Sequence, residues 1–148
     1  MNAESKMTVN EGKYLKLIYR KQREEFSRVK TTLIAKSVRV RPATVTEMLQ
    51  KLAEKNLIKY TRYHGVRLTK KGADEARKLL RKHRLLEVLF VKFLNYDIQK
   101  ACDEASKLDY HASEDLVNAI CQIYRHPKNC PCNKTIFSGE YCRKESRV

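Results

Sequence analysis

The sequence predicts a mainly α-helical protein with one small β-hairpin, organised as two domains. Apolar residues recur at helical spacing along most of the 148 residues, and they alternate at strand spacing between residues 57 and 69. Residues 1–95 contain 24 Lys and Arg against 9 Asp and Glu, whereas residues 96–148 contain 8 of each. We therefore expect a basic domain over residues 1–72 and a helical domain over residues 73–148, whose last part is electroneutral.

Three helices are predicted before the hairpin. The first is expected over residues 8–22, where Tyr14, Leu15 and Ile18 lie on one helical face. A short helix with a threonine N-cap is expected at residues 31–36. Pro42 suits the first turn of the third helix, in which apolar residues fall at i, i+3, i+4, i+7 and i+8 before Asn56.

The hairpin is predicted from two alternating segments, residues 57–61 and 66–69, joined by a turn in which Gly65 favours positive φ. Helix, short turn, helix and hairpin in this order indicate a winged helix-turn-helix. A small α+β core without groove contacts would not explain why the third helix and the hairpin tip are rich in Arg, Lys, Thr and Gln. With the basic charge, this pattern favours a nucleic acid as partner over an anionic membrane surface.

The second domain is predicted to be helical. Residues 70–94 are expected to form one long helix, and shorter amphipathic helices follow at residues 97–107 and after Ser113, which suits an N-cap. Two short amphipathic helices cannot enclose a large core alone, so they indicate a homodimer interface. The tail from His126 has turn residues and is expected to be irregular.

All five cysteines lie in the electroneutral part of the chain. Their odd number and the lack of a secretory signal argue against a disulfide framework, and they favour core thiols or metal ligands in a reduced, cytoplasmic protein. No run of 18 apolar residues predicts a membrane span. The sequence has no nucleophile elbow, phosphate loop or suitably spaced carboxylate pair, so we do not expect an enzyme.

Four segments together resemble one known family: RPATVTEMLQKLAEKNLIKYTRYHGVRLTKKG, RKHRLLE, YDIQKACDEASKLDYH and HPKNCPC. In this order and spacing they resemble the diphtheria toxin repressor and manganese transport regulator family of metal-dependent transcriptional regulators. The resemblance covers about residues 8 to 136. It implies a homodimer that binds double-stranded operator DNA, and a two-domain member without the SH3-like domain of longer relatives.

The resemblance implies that the helix starting at Pro42 is the recognition helix, which enters the major groove, and Pro42 itself is expected among the DNA-binding residues. Contacts with base edges are then expected from Thr44, Thr46, Glu47 and Gln50. Contacts with phosphates are expected from Lys30, Thr31, Arg39, Arg41 and Lys51. The wing would add phosphate or minor-groove contacts from Arg62, His64 and Arg67.

His83 and Glu87 are four residues apart and therefore share one helical face, a spacing that by itself is more typical of a salt bridge than of a metal site. The resemblance implies that both are metal ligands. Cys102 falls where the family commonly has a third ligand, usually His. Cys130-Pro-Cys132 resembles a Cys-Pro-His segment that completes a site with the glutamate of the long helix.

A donor set of one imidazole, one carboxylate and several thiols favours Fe²⁺ or Zn²⁺ over Mn²⁺, which prefers oxygen ligands. Cys142 is a candidate for a further thiol ligand, and an iron–sulfur cluster is an alternative to a single divalent ion. Cys121 lies on the apolar stripe of its helix and is expected to be a core thiol.

The second metal site of the family is expected to be lost in this chain. The corresponding positions are Lys13, Ser106, Asp109 and Tyr110. A protonated lysine cannot bind a metal ion, and Ser and Tyr are poor ligands for divalent ions. Lys13 is expected to replace the charge of the ion by pairing with Asp109.

The sequence thus predicts a metal-dependent transcriptional regulator, expected to be a repressor, that binds palindromic DNA as a homodimer. Two alternatives remain open at this point. One is a regulator that senses redox state through thiols or an iron–sulfur centre. The other is a winged-helix protein that binds structured RNA.

Overall fold

A computed structural model describes residues 6–140 and residue 142, which divide between Ala76 and Arg77 into two compact units. The elements in chain order are α1 (Val9–Tyr19), α2 (Thr31–Val38), α3 (Pro42–Glu54), β1 (Ile58–Thr61), β2 (Gly65–Leu68), α4 (Lys70–Lys92), α5 (Ile98–Leu108) and α6 (Glu114–Ile123). The predicted class, mainly helical with a small hairpin wing, is confirmed. The predicted domain boundary between residues 72 and 73 lies within α4, which contributes residues to both units.

The first helix begins at a capping box. Thr8 Oγ1 accepts a hydrogen bond from the backbone N–H of Glu11 at 3.2 Å, and Glu11 Oε2 accepts one from the backbone N–H of Thr8 at 2.9 Å. The same carboxylate pairs with Lys55 Nζ at 2.7 Å and is almost fully buried. This contact joins the start of α1 to the residue that ends α3. After Tyr19 the chain continues as a π-helical segment, Arg20–Glu24.

The two helices of the helix-turn-helix are joined by a left-handed residue, Arg39, with φ +59°. The expected threonine N-cap of α2 is wrong, because Lys30 occupies that position without a side-chain cap and Thr31 is already helical. Threonine is common at N-caps, but the extended backbone of Lys30 places the helix start one residue earlier. Pro42 is at the start of α3, as the sequence predicts.

The wing is a two-stranded antiparallel hairpin in which Thr61 pairs with Gly65 and Ile58 with Leu68. Gly65 has φ +84°, and a Cβ there would lie 2.7 Å from the carbonyl oxygen of Val29. Glycine is therefore required for two reasons, the left-handed backbone and the close approach of a neighbouring loop. The core of this unit is formed by apolar side chains from its helices and hairpin, including Tyr14, Leu15, Ile18, Ile34, Val45, Leu49, Leu52, Leu57, Ile58 and Val66.

In the second unit, α5 and α6 begin at side-chain caps. Asp97 Oδ1 accepts a hydrogen bond from the backbone of Lys100 at 2.9 Å, and Ser113 Oγ accepts one from Leu116 at 3.1 Å, which confirms the predicted serine cap. The core contains Leu85, Leu86, Val88, Phe90, Ala101, Ala105, Val117, Ile120 and Cys121. The tail after α6 is mostly irregular, with one isolated bridge between Asn129 and Thr135. Within the described residues, we find no helix with the length and apolar character to span a bilayer.

Candidate metal centre and nucleic-acid interface

The polar face of α3 is exposed, as a helix that reads DNA requires. Of the residues predicted to contact base edges, Thr44, Glu47 and Gln50 are exposed. Thr46 is half-buried and donates its hydroxyl to the Pro42 carbonyl at 3.1 Å, which ties the side chain to its own helix. Three of the four residues predicted to contact base edges are therefore accessible from solvent.

The residues predicted to contact phosphates are also on the surface. The exposed members of this set are Lys30, Arg39, Arg41, Lys51, Arg62, His64 and Arg67, whereas Thr31 is half-buried. Arg41 immediately precedes α3, whose N-terminus has no side-chain cap. The positive end of the helix dipole and the guanidinium therefore lie together, and both favour a phosphate. Tyr63 at the hairpin tip is 85% exposed, and sequence reasoning missed it as a surface aromatic residue beside Arg62 and His64.

The metal ligands expected on α4 meet in the interior of the second unit. His83 is 1% exposed, and its Nε2 lies 2.7 Å from Glu87 Oε1 and 3.6 Å from the sulfur of Cys102. The other ring nitrogen, Nδ1, lies 3.0 Å from Asp109 Oδ2. A carboxylate on one ring nitrogen and donors around the other is the arrangement by which proteins orient a metal-binding histidine. Asp109 was not predicted in this role.

The tail supplies two more donors to the same carboxylate. The Cys132 thiol donates a hydrogen bond to Glu87 Oε2 at 3.2 Å. The Cys130 thiol lies near both the Glu87 carboxylate and the Cys132 thiol. A tight turn positions Cys130 and Cys132. In this turn the Cys130 N–H donates a hydrogen bond to the Lys134 carbonyl, and the Asn133 N–H donates one to the Cys130 carbonyl. Glu87 thus directs one oxygen to the His83 side and the other to the tail cysteines.

The five predicted ligands fall into two groups of three that share Glu87. One group is His83, Glu87 and Cys102, and the other is Glu87, Cys130 and Cys132. Within each group the donor atoms lie within 4.8 Å of one another. The structure thus brings the predicted residues together around Glu87, although not as one set of five around a single point.

The pKa values of His83 and Cys132 are shifted by burial and by nearby carboxylates. Burial lowers the pKa of the His83 imidazole, but hydrogen bonds with Asp109, Cys102 and Glu87 outweigh burial and raise the pKa to about 9. Burial of the Cys132 thiol and its contact with the Glu87 carboxylate raise the pKa of that thiol to about 12. Both donors hold their protons at neutral pH, so a metal ion must displace protons to bind.

The donors present fit a divalent transition metal. One group combines the Glu87 carboxylate with one thiol and one imidazole, and the other combines it with two thiols. Such nitrogen, sulfur and oxygen sets are the usual ligands of Zn²⁺ and of other borderline divalent ions. His83 and Glu87 are nearly inaccessible to water, so they also satisfy the requirement for a dry, preorganised centre.

The remaining predicted positions lie elsewhere. Ser106 donates its hydroxyl to the backbone of Cys102 at 3.0 Å, and the ring of Tyr110 packs edge-on against His111. Lys13 is exposed on α1, and its pairing with Asp109 stays a prediction.

The remaining thiols form a cluster that the sequence did not reveal. Cys142, predicted as a possible additional ligand, lies beside Cys121 and His126 rather than in either Glu87 group. Cys121 is a buried core residue, as expected, but its sulfur also faces these two side chains. The one sequence signal for this cluster is that a histidine follows a cysteine at the end of an apolar helical stripe.

Comparison with known proteins assigns both parts of the chain to one family. Residues 6–66 match the model described as the iron-dependent repressor N-terminal DNA-binding domain, and residues 69–138 match its metal-binding and dimerisation domain. The fold around the exposed α3 face belongs to the first, and the Glu87 centre lies in the second.

Individual proteins support the same assignment. The chain is 36% identical to an uncharacterised HTH-type transcriptional regulator of Methanocaldococcus jannaschii, over 72% of this chain and 86% of that protein. It is 32% identical to the HTH-type transcriptional regulator MntR of Shouchella clausii, over 76% of this chain and 78% of that protein.

A solved structure, that of the manganese regulator SloR, matches with 36% identity and a TM-score of 0.78. The match covers 89% of this chain and 61% of the SloR chain, so the present chain spans about three fifths of that relative. The two family models, the relatives and the shared fold agree: the chain belongs to the iron-dependent repressor family, which is the diphtheria toxin repressor and manganese transport regulator family of metal-dependent transcriptional regulators.

Proposed function

We propose that this chain is a repressor that binds palindromic operator DNA as a homodimer when Fe²⁺ or Zn²⁺ is bound at the Glu87 centre. The observation that carries the proposal is the meeting of His83, Cys102, Cys130 and Cys132 around the two oxygens of one buried carboxylate. A salt bridge between His83 and Glu87 alone would not require thiols on both sides.

The preference for iron or zinc rests on the sulfur donors. SloR is named as a manganese regulator. In the present chain three thiols surround the carboxylate, and Mn²⁺ gains less from thiolates than Fe²⁺ or Zn²⁺ does. We therefore propose that the cysteines shift the metal preference away from manganese.

DNA binding is assigned to α3 and the wing. Gln50, Glu47 and Thr44 are proposed to contact base edges, because they are exposed on the helix that follows the turn. The exposed basic residues around them are proposed to bind phosphates, which set register and affinity without reading sequence. The half-buried Thr31 and Thr46 are proposed to contribute through their accessible atoms.

Dimerisation is assigned to the second unit. Its exposed large apolar side chains are Phe93, Leu94, Ile98, Leu108, Leu116 and Ile123. Phe93 and Ile123 are each 72% exposed, which is costly for an isolated unit in water. We propose that a second copy of the chain covers them, and that two recognition helices then meet the two halves of a palindrome.

Metal control follows from linkage. The ion raises operator affinity only by the ratio of its own affinities for the binding-competent and the other arrangements of the dimer. His83, Glu87 and Cys102 join α4 to α5, and Cys130 and Cys132 join α4 to the tail. Metal binding therefore fixes three segments of the second unit together.

The test begins with protein purified without oxygen and analysed for bound metal. A binding site is then selected from random duplex DNA, and its affinity is measured by fluorescence anisotropy with each metal and with a chelator. We expect Fe²⁺ or Zn²⁺ to tighten binding and the chelator to reverse this effect. His83→Ala should remove the metal response, whereas His111→Ala, an exposed histidine of the same unit, should retain it.

Two outcomes would contradict the proposal. Operator binding that is unchanged by the chelator excludes metal control. A selected DNA site without two-fold symmetry excludes binding by a homodimer to a palindrome. Tighter binding to structured RNA than to any duplex DNA would support the RNA-binding alternative instead.

A further inference from the structure

We propose that Cys121, His126 and Cys142 form a separate site for a thiophilic d¹⁰ metal ion, Zn²⁺ or Cu⁺, which fastens the C-terminal tail to α6. The Cys121 sulfur lies 3.3 Å from His126 Nδ1 and 3.6 Å from the Cys142 sulfur. All three donor atoms lie within 4.8 Å of one another. None of these residues belongs to the Glu87 centre, so the two sites can be measured independently.

The backbone at the end of α6 prepares one side of this site. Arg125 and His126 both have left-handed φ values, +57° and +54°, and the N–H of His126 donates to the Cys121 carbonyl at 2.7 Å. This six-residue bond is the Schellman closure of a helix C-terminus. It reverses the chain so that the imidazole lies over the thiol of Cys121, five residues earlier.

A buried cation beside the thiols is a second, independent observation. Arg81 is 5% exposed, and its Nη2 lies 3.9 Å from the Cys142 sulfur. Within the described residues, its Nε and Nη1 have no hydrogen-bond partner, and Glu114 approaches Nη1 at 3.9 Å from an exposed position. A buried guanidinium is costly, and the distant, exposed Glu114 offsets only part of that cost, so the position of Arg81 beside Cys142 also favours negatively charged sulfur.

Charge balance indicates which ions suit the site. Two thiolates with one neutral imidazole carry a charge of −2, so Zn²⁺ gives a neutral complex and Cu⁺ gives a complex of charge −1 beside Arg81. The two thiol protons pass to the solvent as the ion binds. Soft sulfur donors select such ions over Mg²⁺ or Mn²⁺.

The test uses the full chain with Cys102, Cys130 and Cys132 replaced by serine, so that two thiols remain. Cd²⁺ alone is the probe, since cadmium thiolates absorb in the near ultraviolet by charge transfer from sulfur. We expect the absorbance to saturate at one ion per chain. Cys142→Ser should abolish this stoichiometric saturation and His126→Gln should weaken binding, whereas His111→Gln should change neither.

Competition then identifies the ion. Zn²⁺ and Cu⁺ are each added alone to the cadmium-loaded protein under anaerobic conditions, and loss of the cadmium band reports displacement. Displacement by either ion supports the proposal and names the ion, and displacement by neither contradicts it. Absorbance that does not saturate, or that survives Cys142→Ser, also contradicts it.

A second measurement tests the site without relying on the folding of the triple-serine protein. In the otherwise unaltered chain, Cys142→Ser should reduce tightly bound Cd²⁺ by one ion per chain while the response of operator binding to metal persists. An unchanged count contradicts the tail site. In the triple-serine protein, whose remaining cysteines are Cys121 and Cys142, a mass lower by two hydrogens in metal-free, anaerobic preparations would also contradict it, because those two residues would then form a disulfide. Loss of the operator response in the unaltered chain would instead count against the Glu87 centre.

Discussion

Among single residues, His83 is a buried side chain held in the orientation that the proposed metal site requires. Asp109 binds its Nδ1, so the hydrogen on that nitrogen is fixed and Nε2 points toward Glu87 and Cys102. Without this carboxylate the ring would be less strongly oriented and less basic. Asp109 would therefore act on the proposed metal site through His83, in a position where the sequence suggested the remnant of a different site.

We predict that Asp109→Asn weakens metal binding at the Glu87 centre by about 10- to 100-fold, the usual cost of losing a carboxylate behind a metal-binding histidine. The measurement is competition with a chelator of known affinity. Asp103→Asn is the control, because Asp103 is exposed on α5 and accepts a hydrogen bond from Gln99. Equal affinities of both variants and the unaltered protein would show that Asp109 has no such role.

We predict that the metal-free protein loses stability as the pH rises from 6.5 to 9. The pKa of His83 is raised to about 9 in the folded state, so its contribution is fully present below pH 6.5 and disappears as the pH rises through 9. The loss should reach about 3 kcal/mol. Urea unfolding in the presence of a chelator measures it, and His83→Gln should flatten the curve. A curve of the same slope in that variant would refute the assignment.

Among the secondary-structure elements, the ends of helices position the residues of the proposed sites. The closure of α6 places His126 over Cys121, and the turn between Asn129 and Thr135 presents Cys130 and Cys132 to α4. In the first unit, the capping box of α1 is tied by Glu11 to Lys55 at the end of α3. The helix proposed to read DNA is therefore held by an ion pair with a buried carboxylate.

We predict that Thr8→Ala destabilises the protein by about 1 kcal/mol, because it removes the hydroxyl that accepts from the Glu11 backbone. Thr32→Ala is the matched control, since Thr32 is exposed inside α2, and its effect should stay within about 0.5 kcal/mol. Denaturant unfolding compares them at one pH. Equal losses in the two variants would mean that the cap contributes nothing.

Across the whole molecule, the positive charge is concentrated in one part of the chain. The formal net charge is +15, and the excess resides in residues 1–95, which contain α3, the wing and α4. The electroneutral remainder contains α5, α6 and the three thiol donors proposed for the Glu87 centre. The basic part would therefore supply most of the long-range attraction to DNA, whereas the proposed metal centre draws on both parts, with His83 and Glu87 from α4 and the cysteines from the electroneutral remainder.

We predict that DNA affinity falls steeply with salt, in a log–log relation whose slope reports the number of phosphates neutralised. Arg41→Ala should reduce that slope by about 1 and weaken all sequences alike. Gln50→Ala should keep the slope and instead lose about 1–3 kcal/mol of discrimination between operator and altered sites. Anisotropy titrations at several salt concentrations separate the two effects. A reduced salt slope in Gln50→Ala, or lost discrimination between sites in Arg41→Ala, would contradict the proposed base contact of Gln50 or phosphate contact of Arg41, respectively.

Much of the fold was predictable because the signals are local. Apolar spacing placed α3, proline marked its start, and Gly65 marked the hairpin turn. The N-cap of α2 was mispredicted because residue type favours threonine there, whereas the backbone angles of Lys30 decide the position. Family resemblance pointed to His83, Glu87 and three cysteines, but no local pattern specifies which of their atoms face one another.

Local sequence signals were enough to predict the class of fold, the amphipathic helix α3 and the residue types available to hold a metal. These depend on periodicity and composition, which act over a few neighbouring residues. Tertiary structure decided that Asp109 supports His83, that Glu87 is shared by two donor groups, and that Cys142 joins Cys121 and His126. Such contacts join residues far apart in the chain, and they form only when the helices pack and the tail folds back upon them.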